Sequence, residues 1–328
     1  MIREPLIEVK NLYIYFYTYA GIVKAIEDVS FTIYKGETFC LVGETGCGKT
    51  VVSRALTNIV PPPGRVVKGK VLYHRDGDVV DILKLPEEEL RKIRGNEIAY
   101  IIQDPSAALD PLYVVRYQIA ETMMDHGRIK DWKEGFMRAI KLLKEVLIPE
   151  PEKRAKSYPH ELSGGMKQRV VISMGLSNEP RLLIADEPTS FLDVTVQAQV
   201  LDLLKELKEK KGLTLLLITH DMGVVAEMCE RVAVLYAGNL VEEAPVHELF
   251  RNPQHPYTMG LLRAVPNPLT EISKLEAIPG TVPNLIKPPS GCRFHPRCPY
   301  ARDVCRREKP PLVEVSPGHR VACWLRVR

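Results

Sequence analysis

The octapeptide GETGCGKT, residues 43 to 50, constrains the architecture more than any other stretch of this 328-residue chain. Gly43, Gly48, Lys49 and Thr50 occupy the fixed positions of a phosphate-binding loop. An apolar strand-like run precedes them and a helix-like run, Val51 to Ile59, follows. Between a strand and a helix, such a loop turns consecutive backbone N–H groups and a helix N-terminus towards an anion. Glu44, Thr45, Gly46, Cys47 and Val51 complete the cradle, with Lys49 expected on the β- and γ-phosphates and Thr50 on Mg²⁺. Two further apolar strands, RLLIAD and LTLLLITH, are separated by a helix at about 194 to 210. That alternation predicts an α/β fold with a parallel sheet.

The same sheet supplies acids. RLLIADEP ends in Asp186, expected to hold Mg²⁺ through water, and Glu187, expected to polarise an attacking water. His220 after LTLLLIT and Gln103 after IAYII also stand at strand ends, where open parallel sheets bind ligands. Both are candidate sensors of a γ-phosphate.

A second phosphate-binding pattern, LSGGMKQR, lies at residues 162 to 169. Ser163 is a favourable helix N-cap, and Gly164 and Gly165 would let a phosphate approach the first helical N–H groups. One chain cannot easily bring two helix starts onto one γ-phosphate, whereas two chains arranged head to tail can. Each nucleotide is then expected between the loop of one subunit and the serine–glycine helix start of the other.

Five segments in this order, GETGCGKT, IIQDP, LSGGMKQR, LLIADEPTSFLD and LLLITHD, resemble the ATP-binding subunits of ABC transporters over about residues 5 to 250. The resemblance implies a P-loop ABC ATPase fold with an N-terminal antiparallel β subdomain and a helical insert at about 104 to 165. It also implies that Ser163, Gly164, Gly165 and Asp193 act on the partner's nucleotide. QDPSAALDP, HPYTMGLL and GCRFHPRCPYARDVC are similar to oligopeptide and dipeptide importers in particular. Implied partners are a second ATPase subunit, identical or not, two membrane permeases and, indirectly, an extracytoplasmic solute-binding protein. No nucleic acid is expected. Nickel complexes or oligosaccharides are the alternative cargoes, and a soluble ABC protein acting on nucleic acid is the competing class. Phe191 stands where the family more often has alanine. The aromatic that stacks on adenine is Phe16 by position, with Tyr19 next.

Composition bounds the rest. At 45% hydrophobic and 26% charged the chain is globular, and its apolar runs fall short of a membrane span. The charged N-terminus lacks a signal-peptide pattern, so a peripheral position on the cytoplasmic face of the membrane is expected. The opening reads as strands, residues 66 to 102 as strand and turn, and about Gln118 to Val146 as helix. An ATPase domain, 1 to 250, and an extension, 251 to 328, are expected, and within the extension the proline-rich residues 266 to 291 read as a linker strapped along a surface. The net charge of +4 hides an excess of +7 over residues 287 to 328, where Cys292, Cys298, Cys305 and Cys323 also crowd. No Cys-x-x-Cys knuckle is present, and a cytosolic site weighs against disulfides there. Four thiolates suit a [4Fe–4S] cluster, with zinc the alternative, giving a small metal-binding extension.

Overall fold

The structure, a computed structural model, describes residues 3–265 and 278–327. The chain opens with β1 (Pro5–Thr18), β2 (Gly21–Tyr34), β3 (Thr38–Val42), α1 (Lys49–Ala55), β4 (Gly64–Arg75) and β5 (Asp78–Asp81). It continues through α2 (Glu87–Ile93), β6 (Ile98–Ile101), α3 (Pro105–Ala108), α4 (Val115–Asp125), α5 (Trp132–Glu145), α6 (Pro151–Arg154) and α7 (Gly164–Leu176). Next come β7 (Leu182–Asp186), α8 (Val194–Lys211), β8 (Thr214–Thr219), α9 (Met222–Met228), β9 (Arg231–Tyr236) and β10 (Asn239–Pro245). The last elements are α10 (Val246–Arg251), α11 (Pro256–Arg263), α12 (Asp303–Arg307), β11 (Val313–Ser316) and β12 (His319–Val321). They divide between two compact units, Met1–Leu85 with Leu217–Arg328, and Pro86–Leu216.

In the first unit, an antiparallel sheet of order β2-β1-β4-β5 follows from the period-two alternation of β1 and β2, with Ile7, Leu12, Ile14, Ile26 and Ile33 fully buried. Beside it, β3 is buried along its whole length and pairs in parallel with β9, from Phe39↔Arg231 to Val42↔Val234. Burial on both faces explains why neither strand alternates. β9 turns through Ala237 and Gly238 into β10, whose Glu242 and Glu243 pair with Val321 and Arg320 of β12. A β11–β12 hairpin from the C-terminal extension therefore continues the sheet, and Arg320 and Arg231 both close on the buried Glu243 carboxylate. Cys40 of β3 and Cys229, 189 residues later, form a disulfide with Cα atoms 5.9 Å apart.

The second unit holds β6 and β7 in parallel register, Ile98↔Leu182 to Ile101↔Ala185. α7 lies close against them, because an added Cβ on Gly175 would stand 3.3 Å from Leu183. α3 to α6 are inserted between β6 and α7. A stack of Tyr113, Tyr117 and Trp132, with centroids 4.9 and 4.5 Å apart, joins α4 to α5.

Two expectations change. Residues 87 to 93 are helical, not strand and turn: Glu87, Glu88 and Glu89 fill the first turn and Arg91 and Lys92 the last, complementing the helix dipole. The helical stretch between 118 and 146 is two helices, broken after Asp125 where Gly127 takes a φ of 66°. Residues 278 to 291 carry no regular element, and the remainder of the expected linker, 266 to 277, lies outside the described residues. Among the described residues, no helix is long and apolar enough to cross a membrane.

Candidate functional site

In the first unit the glycine loop leaves β3 and ends in α1. Gly43, at φ 149°, runs so close to β9 that an added Cβ would meet Leu235 O at 2.2 Å. Gly48, at φ 105°, is pressed against Ile26 in the same way, at 2.5 Å. No side chain fits at either position, so the loop's path is dictated by its neighbours. Lys49 is 5% exposed, and its ammonium folds back over the loop onto Gly43 O at 2.7 Å and Glu44 O at 3.2 Å. Cys47 is fully buried, which pushes its thiol up. Its carbonyl accepts from Gly238 N at 2.9 Å. Thr50 is the second residue of α1.

His220 is exposed in the turn between β8 and α9, where Asp221 caps α9 by accepting from Gly223 N at 2.7 Å. Phe16 sits near the end of β1, opposite Val23 and Gly64, with its ring against Gly64. Tyr19 is fully exposed in the following turn.

In the second unit β7 delivers Asp186 and Glu187. Asp186 is buried and accepts from Tyr100 Oη at 2.9 Å. Glu187 has a φ of 46°, which turns the chain sharply as the strand ends. Its Oε2 accepts from Gln103 Nε2 at 2.7 Å and Ser190 Oγ at 2.9 Å. Two residues expected to act in one reaction are thus in direct contact.

Ser163 caps α7 as expected, its Oγ accepting from Met166 N at 3.3 Å. The two glycines differ. A Cβ on Gly165 would stand 2.4 Å from Val196 Cγ1 of α8, whereas one on Gly164 would make only an ordinary contact, 3.6 Å from Leu192. Gly165 is therefore a packing requirement, and Gly164 is the glycine left exposed. Lys167 and Arg169 are engaged internally, Lys167 with Ser106 Oγ at 3.2 Å and Arg169 with Leu147 O at 2.8 Å and Gln199 at 2.9 Å. Asp193 caps α8 through Val196 N at 3.0 Å, flanked by the exposed apolar side chains of Phe191 and Val194.

Sequence reading missed Tyr257 and Arg297, which reach Glu44 from the extension. The only signal was the local run HPY: His255 caps α11 by accepting from Tyr257 N at 3.0 Å, Pro256 occupies the first turn, and Tyr257 is aimed by that start. Burial pushes the His255 ring down to about 4.

Burial raises the Cys292 thiol to about 11, with smaller raising contributions from the neighbouring Cys323, Cys305 and Cys298. Cys298 and Cys323 are raised from the same cause. Among the described residues, however, no group of three or more His, Cys, Asp or Glu could hold a metal ion. The expected extension is present, while the arrangement of its described side chains lends no support to the expected metal site.

Two family models match this chain, ABC transporter over residues 26–190 and the oligopeptide/dipeptide transporter C-terminal region over residues 241–305. Among curated relatives, the dipeptide transport ATP-binding protein DppD of Bacillus subtilis is 46% identical over 323 residues, covering 98% of this chain and 95% of that protein. The oligopeptide transport ATP-binding protein OppD of the same organism is 47% identical over 328 residues, covering 99% and 90%. A solved dimeric bacterial ABC transporter cassette, MJ0796, superposes with a TM-score of 0.64 at 29% identity, covering 73% of this chain and 98% of that one.

Proposed function

Because the chain belongs to the ABC transporter family and carries its oligopeptide/dipeptide C-terminal region, we infer that it is the ATP-hydrolysing subunit of a peptide importer. ATP turnover on this subunit is coupled to movement of peptide through membrane permeases, and it works as part of an ATPase dimer. In our reading residues 1 to 250 are the ATPase portion and 251 to 328 the extension. The complex contains two permeases fed by an extracytoplasmic solute-binding protein, with this subunit peripheral on the cytoplasmic face.

The observation that carries the reading is a complete phosphate loop together with a separate, serine-capped helix start whose Gly164 is exposed. The loop N–H groups and Lys49 would hold the triphosphate, with Thr50 and Asp186 as the oxygen donors for Mg²⁺. Bound Mg²⁺ supplies charge neutralisation on the phosphates. Glu187 polarises the attacking water, and Gln103, already hydrogen-bonded to that carboxylate, sets its orientation. His220 contacts the γ-phosphate and Phe16 stacks on adenine. Ser163, Gly164, Gly165 and Asp193 act on the nucleotide of the partner subunit. The test is ATPase activity of the full transporter in vesicles: peptide with its binding protein should stimulate turnover, and activity indifferent to permeases and peptide would refute the transport assignment.

For the cysteines, a [4Fe–4S] cluster is our reading of the donor set alone, four thiols on one small extension. It would clamp a segment that builds no large core. Iron and acid-labile sulfide in anaerobically purified protein test it, and their absence would leave the thiols as packing groups.

A further inference from the structure

Glu44, the second residue of the phosphate loop, is gripped by the C-terminal extension through both its backbone and its side chain. Its N–H donates to Tyr257 Oη at 2.8 Å. Its carboxylate receives both prongs of the Arg297 guanidinium, Nη1 to Oε2 at 2.7 Å and Nη2 to Oε1 at 3.0 Å. Paired prongs fix geometry as well as charge. The Arg297 side chain is 5% exposed, and its remaining donors are committed: Nε to Pro279 O at 2.9 Å, Nη2 to Ile278 O at 3.2 Å and Nη1 to Tyr236 Oη at 3.4 Å. Tyr236, Tyr257 and Phe294 form an aromatic wall behind it, with ring centroids 4.6 to 5.4 Å apart.

These facts decide between two roles for the arginine. A guanidinium free to swing could bind phosphate directly, but all five N–H groups of Arg297 are already used, so it is a fixed brace. Glu44 has the opposite problem. A carboxylate within a loop that binds a polyanion opposes its own ligand unless its charge is balanced. Arg297 balances it, and Tyr257 holds the adjoining amide.

We propose that Arg297 is a positioning residue of the nucleotide site: by neutralising Glu44 and pinning the loop, it makes the C-terminal extension a determinant of MgATP affinity. This rests on the reading of residues 43 to 51 as the nucleotide cradle.

The experiment measures KM for ATP and kcat in the assembled transporter. Arg297→Gln should raise KM about tenfold and leave kcat within about twofold. In a Glu44→Gln background the same change at Arg297 should move KM by less than about twofold, because the charge it balanced is gone. An unchanged KM in the single variant, or an equal rise in both backgrounds, overturns the proposal; the second result is what a purely structural brace would give. Should Arg297→Gln fail to assemble, Arg297→Lys keeps the charge without the fork. A KM rise of about threefold with Glu44 present and none with Glu44→Gln then supports the proposal, and equal effects overturn it. Failure of the cradle reading itself is distinguishable: wild-type transporter would not bind MgATP, and Lys49→Ala would change nothing.

Discussion

Gln103 donates its side-chain amide to Glu187 Oε2 across 2.7 Å, and Ser190 donates to the same oxygen. A carboxylate so held has a fixed direction, which general-base work requires. Glu187→Gln should lower kcat by about 100-fold or more while MgATP binding survives and the closed dimer accumulates. Gln103→Ala should lower kcat by about tenfold through loss of orientation. Steady-state ATPase assays and light scattering with MgATP check both, and full turnover in Glu187→Gln would remove that residue from the role.

Gly164 and Gly165 should part company on substitution. Gly165→Ala forces a methyl into Val196 and should destabilise the fold by about 1–3 kcal/mol. At Gly164 alanine meets only an ordinary contact, so helix propensity should leave the melting temperature equal or higher, while hydrolysis falls because the exposed helix start is crowded. Thermal melts beside ATPase rates separate the two outcomes. A cold-sensitive, unstable Gly164→Ala protein would count against the assignment.

His255 carries a pH dependence. Its ring is fully enclosed among Glu242, Tyr257 and Phe294, and burial lowers it from 6.5 to about 4. With the folded value below the unfolded one, the contribution to stability is fully present above about 6.5 and is lost as pH falls towards about 4. The expected total is up to about 3 kcal/mol. His255→Asn retains a cap acceptor without a titrating ring, so its denaturation midpoint should fall less between neutral and mildly acidic pH. Parallel slopes for the two proteins would rule the histidine out.

The thiols make a separate forecast. Protein prepared without oxygen should be brown and contain iron and sulfide, and Cys292→Ser should remove the colour. Chelation should then loosen residues 278 to 327 in hydrogen exchange. Colourless protein whose extension is as protected as the rest would show that burial alone holds it.

What the sequence made legible was local. The phosphate loop, the acid pair and the serine cap each lie within about eight residues, where spacing alone carries the chemistry. The short helix over 87 to 93 was legible too, in its run of acids followed by bases, but the strand pattern around it masked the signal. Long-range pairings were not. Arg297 and Glu44 are 253 residues apart and Cys40 and Cys229 are 189 apart; only the folded chain makes such pairs neighbours. Nor could spacing reveal that Lys167 and Arg169, cations beside a candidate phosphate site, spend themselves on internal partners.

The pairing of β12 with β10 has a practical corollary for anyone trimming this protein. Cutting the chain after residue 250, where a minimal cassette would stop, strips the cover from β10 and leaves a row of unsatisfied peptide groups as a template for self-association. Precipitation of such a shortened chain would then report a naked sheet margin, and would say nothing of its ability to turn over nucleotide.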